Sequence, residues 1–117
     1  MDDHPSFRAS ARVLLEAEGF DVIGEAADGA TALAECRRLR PEVVLLDVQL
    51  PDFDGFDVAA RLTGDSESPV VILVSSRDGS DFGPLVTRSG ARGFVPKAEL
   101  SGDRVLALLP PALGPVA

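Results

Sequence analysis

The sequence predicts a parallel α/β sheet with helices on both faces, and three observations carry that prediction. Two uninterrupted apolar runs, Val43-Val44-Leu45-Leu46 and Val70-Val71-Ile72-Leu73-Val74, are short and carry β-branched residues, as strands buried on both faces do, and the first lies between Pro41 and Pro51. Segments whose apolar residues recur at helical spacing alternate with the strands along the whole chain. The chain has 117 residues, enough for one domain with a core of its own.

Residues 5–18 read as a helix. Pro5 suits the first helical position, Phe7, Ala11, Leu14 and Leu15 share a stripe, and Gly19 stops it. Residues 22–26 follow as a short strand. Asp28-Gly29 turns the chain into a helix over 31–39, where Arg37, Arg38 and then Arg40 complement the negative end of the helix. Pro41 closes it, and the strand Val43–Asp47 comes next. Pro51-Asp52-Phe53-Asp54-Gly55 has turn chemistry and leads into a helix over 55–63. Residues 64–69 are a polar connection to the second buried strand, which ends in Ser75-Ser76. Residues 77–83 read as loop, with Pro84 in the first turn of a short helix ending before Gly90, because proline cannot sit inside a longer one. Residues 93–95 form a brief strand ending at Pro96-Lys97, and Ser101 caps a helix over 102–109. The folded domain is thus expected over 1–109, and the Pro-rich residues 110–117 as a tail or truncated linker.

Composition narrows the functional classes. A formal net charge of −8 argues against nucleic-acid binding, which needs clustered Lys and Arg. The sequence has no apolar run near the roughly 20 residues that span a bilayer, and no signal-peptide pattern at its start, so a cytoplasmic protein is expected. Cys36 is the sole cysteine, which excludes an internal disulfide and a cysteine-only metal cage. Ten of the eleven basic residues are Arg; Lys97 is the one lysine, and a compact ammonium on a flexible stem suits a point contact to phosphate.

In a parallel sheet the strand ends at Asp47, Ser75 and Lys97 project toward one edge, where ligands bind. Asp2-Asp3 precedes the first helix, where a preceding strand would also end. Carboxylates gathered there repel one another, and Mg²⁺ relieves the repulsion through oxygen ligands. Such a carboxylate, with a lysine and a hydroxyl at hand, suits a phosphoryl acceptor. Singly, each residue has a plainer role: Asp2 and Asp3 as caps of the first helix, Ser75 as a loop cap, Phe94 as core, and His4 as a residue that merely starts a helix.

Asp2-Asp3-His4-Pro5-Ser6-Phe7-Arg8, the run ending at Asp47, Pro51-Asp52-Phe53-Asp54-Gly55, Ser75-Ser76 and Gly93-Phe94-Val95-Pro96-Lys97 together resemble the receiver domain of two-component response regulators. The opening is most similar to regulators that carry a C-terminal helix-turn-helix DNA-binding domain. The resemblance implies a flavodoxin-like doubly wound sheet of strand order 2-1-3-4-5. It implies that Asp47 takes a phosphoryl group from a sensor histidine kinase or a small phosphodonor. Asp3, Asp47 and the Gln49 carbonyl would hold Mg²⁺, with Asp2 acting through a bound water. Lys97 and Ser75 would contact the phosphoryl oxygens, small Ser76 would leave the pocket open, and Phe94 would turn inward behind Ser75. The partners implied are a sensor kinase and a downstream protein or output domain; an exposed face of the last helix adds the expectation of a weak homodimer. Two alternatives are a pseudo-receiver with an incomplete metal site and a Mg²⁺-dependent aspartyl phosphatase of the haloacid dehalogenase type. The second wants an acid two residues after the nucleophile, where this chain has Gln49; a signalling module rather than an enzyme is expected.

The chain departs from the pattern at its start. The first strand, which would run between residues 22–26 and 43–47, is absent or truncated, and Met1 stands where its last apolar residue belongs. The expectation is a start assigned too late in the coding sequence. For the 117 residues alone, a rearranged sheet, intermolecular strand pairing or a weakly stable fold follows.

Overall fold

The computed structural model of the chain describes residues 1–64, 69–76, 82–109 and 115–116, the last two by their backbone. Most of the connections expected over 64–69 and 77–83, and most of the tail, lie outside the described residues. The elements are α1 (Pro5–Ala17), β1 (Asp21–Val22), α2 (Gly29–Leu39), β2 (Val43–Asp47), α3 (Gly55–Leu62), β3 (Val70–Ser75), α4 (Leu85–Arg88), β4 (Gly93–Pro96), α5 (Gly102–Ala107) and β5 (Pro115–Val116).

The expected helix–strand alternation is present, and the two apolar runs are the buried strands. All five residues of β2 are buried, as are Val71 to Ser75 of β3. Side chains alternate across the sheet. Val44, Leu46, Val71 and Leu73 pack under Ala32, Leu33 and Cys36 of α2 and Val58, Ala59 and Leu62 of α3. Val43, Leu45, Ile72 and Val74 pack with Leu15 of α1 and Val105 of α5 on the other face. This is the doubly wound arrangement.

Several boundaries differ from expectation for local reasons. α2 starts at Gly29 because the Asp28 carboxylate accepts from Thr31 N, making Asp28 the cap. α5 stops at Ala107 with Leu108 as its cap; the proline at 110 disfavours helical backbone at the residue before it. α4 is a single turn, Leu85–Arg88, preceded by Pro84. β1 is two residues long because only Asp21 and Val22 pair, both with β5.

The sheet is parallel throughout, with order β1-β5-β2-β3-β4. The place between β1 and β2, where the expected fold has its first strand, is filled by two pieces. At one end Pro115–Val116 pairs with Asp21–Val22 and with Val43. At the other, Met1 N donates to Leu45 O at 2.8 Å, Asp47 N donates to Met1 O at 3.0 Å, and Asp2 N donates to Ala26 O at 2.9 Å. Of the expected outcomes, the structure shows the rearranged sheet. Met1 is buried and carries the acidic pair to the carboxyl edge of the sheet.

Candidate functional site

β2 delivers Asp47 to the sheet edge on the face shared with α1 and α5, in step with Val43 and Leu45. The chain then turns sharply. Gly55 N donates to Val48 O at 2.7 Å, and a Cβ on Gly55 would collide with the Asp47 carbonyl and Val48, so glycine lets α3 start against the end of β2. Asp54 caps α3 by accepting from Phe56 N at 2.7 Å.

Asp47 is only 3% exposed. Its Oδ1 accepts from Gln49 N at 3.1 Å and its Oδ2 from Lys97 Nζ at 3.2 Å. Lys97 follows β4 and begins a short 3₁₀ turn over Lys97–Glu99. Its Nζ also lies 2.5 Å from Asp2 Oδ2 and 4.5 Å from the centre of the Phe7 ring. Asp2 is as buried as Asp47; its Oδ1 accepts from His4 N at 2.8 Å and faces His4 Nδ1 at 3.0 Å. Asp2 Oδ2 is buried with no hydrogen-bond donor in line among the described residues, its contact with Lys97 being an ion pair. Asp3 is exposed, with Oδ1 3.1 Å from His4 Nδ1. Asp2 and Asp3 therefore do not cap α1, whose cap residue His4 offers no capping side chain.

Burial and charge pull the two buried carboxyls apart. Burial pushes Asp47 above the usual aspartate value, the Gln49 amide opposes it, nearby Asp2 adds to it, and Lys97 does not cancel the rise. Burial would raise Asp2 as well, but the adjacent Lys97 ammonium and then hydrogen bonding from His4 bring it below the usual value. Lys97 is raised: desolvation works against its charge, and the two carboxylates outweigh that.

The groups face a cleft of about 450 Å³ lined by Asp3, Phe7, Asp47, Gln49, Ser76 and Lys97, among others. Ser75 is buried at the end of β3 and stands in register with Pro96, the residue before Lys97. Phe94 is half-buried on β4, its ring 5.4 Å from that of Phe82, which lies 5.4 Å from Phe56. Asp2, Asp3, Asp47 and Lys97 are thus brought together, Ser76 and Gln49 border the same cleft, and Phe94 lies in an aromatic row.

The response regulator receiver domain family matches residues 1–108. The chain belongs to this family. Among curated proteins, it is 37% identical over 107 residues to a protein of Pseudomonas aeruginosa described as a transcriptional regulator, covering 92% of this chain and 52% of that one. It is 41% identical over 99 residues to the transcription regulator BvgA of Bordetella pertussis, covering 85% and 47%. The chain spans about half the length of the curated relatives it matches. Among solved structures, it superposes on a two-component response regulator of the LuxR family from Aurantimonas with a TM-score of 0.81 at 30% identity, covering 92% of this chain and 77% of that one. The signal receiver domain of the response regulator NarL from Mycobacterium tuberculosis gives 0.79 at 36% identity, covering 91% and 89%. The sheet is therefore that of the receiver fold, with β5 and Met1 in the place of its first strand.

Receiver domains generally bind Mg²⁺ at an acidic pocket, and this pocket has the right donors. Ligand atoms of Asp2, Asp3, His4 and Asp47 lie within 4.8 Å of one another. Mg²⁺ favours oxygen, and the carboxylates of Asp2, Asp3 and Asp47 supply it, with Asp2 Oδ2 ion-paired to Lys97 in this structure.

Three contributors escape sequence reasoning. His4 is no bystander, because its ring lies against both Asp2 and Asp3. Asp52 grips the start of α2 from the loop after β2, accepting from Gly29 N at 2.6 Å and Ala30 N at 3.0 Å. Phe7 touches the lysine. The Asp-Gly turn at 28–29 followed by a second acidic turn at 52–54 was the available signal for the Asp52 latch.

Proposed function

We propose that this receiver domain is phosphorylated on Asp47 and that the change there is read by other proteins. The observation that supports this best is a buried carboxylate at the end of the central strand, 3.2 Å from the ammonium of the chain's single lysine and clustered with Asp2 and Asp3. A carboxylate oxygen of Asp47 would attack phosphorus of a phosphohistidine on a sensor kinase, or of a small acyl phosphate. The new O–P bond forms as the N–P or acyl O–P bond breaks, and its electron pair leaves with the donor. Bound Mg²⁺ would supply neutralising charge to the phosphoryl oxygens.

The protein's own groups do the rest. Asp3, Asp47 and the Gln49 carbonyl are the proposed metal ligands, with Asp2 acting through water. Lys97 meets phosphoryl oxygens, Ser75 donates to another, and Ser76 is small enough to keep the approach open. The added dianion recruits Ser75 and Lys97, and Phe94 follows inward; such a local charge event biases a two-state surface. An output domain or separate partner would read that surface, and a helix-turn-helix DNA-binding domain is the output expected from the transcriptional relatives. No helix of the described residues is long and apolar enough to cross a membrane, in keeping with a cytoplasmic module. The role is signalling by a covalent mark, not turnover of a substrate.

Acetyl phosphate with Mg²⁺ tests the assignment directly. Wild-type chain should gain one phosphoryl group by intact-mass measurement, and Asp47→Asn should gain none. Equal incorporation by the variant overturns the site.

A further inference from the structure

We infer that Phe7 is a positioning residue for Lys97, seating the ammonium on the face of its ring so that it is held ready for a phosphoryl group on Asp47; this rests on the phosphoacceptor reading above. Phe7 is in the first turn of α1, two residues after Pro5, and it is half-buried against the α1/α5 side of the core. That turn is tied to the acidic pair, because Arg8 Nη1 donates to Asp2 O at 2.6 Å. The ring therefore keeps a defined place relative to Asp2 and Asp47. Lys97 Nζ sits 4.5 Å from the ring centre, inside the range of about 6 Å over which a ring face attracts a cation.

The ring answers a problem posed by the rest of the site. A lysine side chain has many rotamers to lose, and its head is a compact, strongly hydrated charge. Among the described residues, the neighbours that hold Lys97 by charge are Asp2 and Asp47, and both are groups whose own charge balance changes when a divalent cation or a phosphoryl group arrives. Phe7 carries no charge and ligates nothing, so its attraction for the ammonium survives both events. Lys97 is only 15% exposed, so water does little to weaken the contact. The ring also lines the same cleft as Asp47 and Ser76, where it covers one side of the ammonium.

The chain's single lysine makes the test direct, since ¹³C-lysine labels one residue. In the wild-type chain the Lys97 ε-methylene protons should be shifted upfield by the ring current, and Phe7→Leu should return them to the position of a free lysine. Beryllofluoride with Mg²⁺ serves as the phosphoryl mimic, with affinity measured by calorimetry. Phe7→Leu should weaken it by about three- to tenfold, Phe7→Tyr should stay within about twofold of wild type, and affinity for Mg²⁺ alone should be within about twofold in both. If Phe7→Leu does not fold, Phe7→Tyr and Phe7→Ile carry the same comparison of ring against no ring. A methylene shift unchanged by loss of the ring, or a tyrosine variant as weak as the leucine one, overturns the role of Phe7. Wild-type chain that shows the ring-current shift but binds no beryllofluoride overturns the phosphoacceptor reading instead.

Discussion

The sheet has a strong half and a seam. From Val43↔Val70 to Asp47↔Val74, β2 and β3 pair without a break, and β4 continues the register to Ser75↔Pro96. Between β1 and β2 the pairing is made by short pieces from opposite ends of the chain, Pro115–Val116 and Met1–Asp2. The proposed site straddles the two. Asp47 and Lys97 hang on the strong half, where core packing sets their places, whereas Asp2 and Asp3 hang on the seam by a few backbone hydrogen bonds and Arg8. The proposed acceptor Asp47 and the lysine are thus built into the core, and the two acids opposite them, Asp2 and Asp3, are the adjustable part.

The largest effect is expected in the strong half. Leu46 is fully buried in β2 among the α2 and α3 side chains, and Leu46→Ala should cost about 2–5 kcal/mol, a large share of a typical domain's stability. Urea unfolding followed by circular dichroism measures it. A cost below about 1 kcal/mol would mean that β2 is not the spine of the molecule.

The seam should respond less and more locally. Removing residues 110–117 takes away the pairing of β5 with β1 and Val43, and a few backbone hydrogen bonds are worth about 1–3 kcal/mol together. Amide exchange should show lost protection at Asp21 and Val22 while the β2 and β3 amides keep theirs. Uniform loss across the sheet would erase the distinction between the halves. Unchanged protection of β1 would show that β5 contributes nothing to holding it.

That division also marks how far the sequence could be read. The strong half was legible because an apolar run ending in Asp47 can be little else than a buried strand, and a parallel sheet puts Ser75 and Lys97 at the same edge. Expectations for β2 and β3 match the structure within a residue. The seam was illegible in detail because Pro115 and Val116 form a two-residue strand, too short for any periodicity, inside a Pro-rich tail. Phe7 read as one apolar residue on a helical stripe, since spacing says which face is buried and nothing about which cation meets it. Asp52 read as turn chemistry, because its partners Gly29 and Ala30 are more than twenty positions away and only the folded chain brings them near. His4 read as a helix start for the same reason: its value comes from the two carboxylates that the seam places beside it.

The smallest effect, and the finest probe of the seam, is the order in which the two buried carboxyls titrate. Asp47 is raised above the ordinary 3.8 and Asp2 lowered below it. A raised carboxyl contributes stability that is present below its unfolded value and lost as pH rises through its folded one. A lowered carboxyl contributes stability that is present above its unfolded value and lost as pH falls through its folded one. Acidification from neutrality should therefore protonate Asp47 first, with a small gain in stability, and Asp2 only below 3.8, with a loss. Carboxyl ¹³C shifts followed through the titration give the order. Part of the rise at Asp47 comes from the charge of Asp2, and that charge is near only while the seam holds Asp2 in place. Asp2→Asn removes it and also releases Lys97 to Asp47 alone, and both changes lower the Asp47 pKa. If Asp47 titrates the same way with and without the Asp2 charge, the two acids are not held side by side, and the seam is looser in solution than its hydrogen bonds imply.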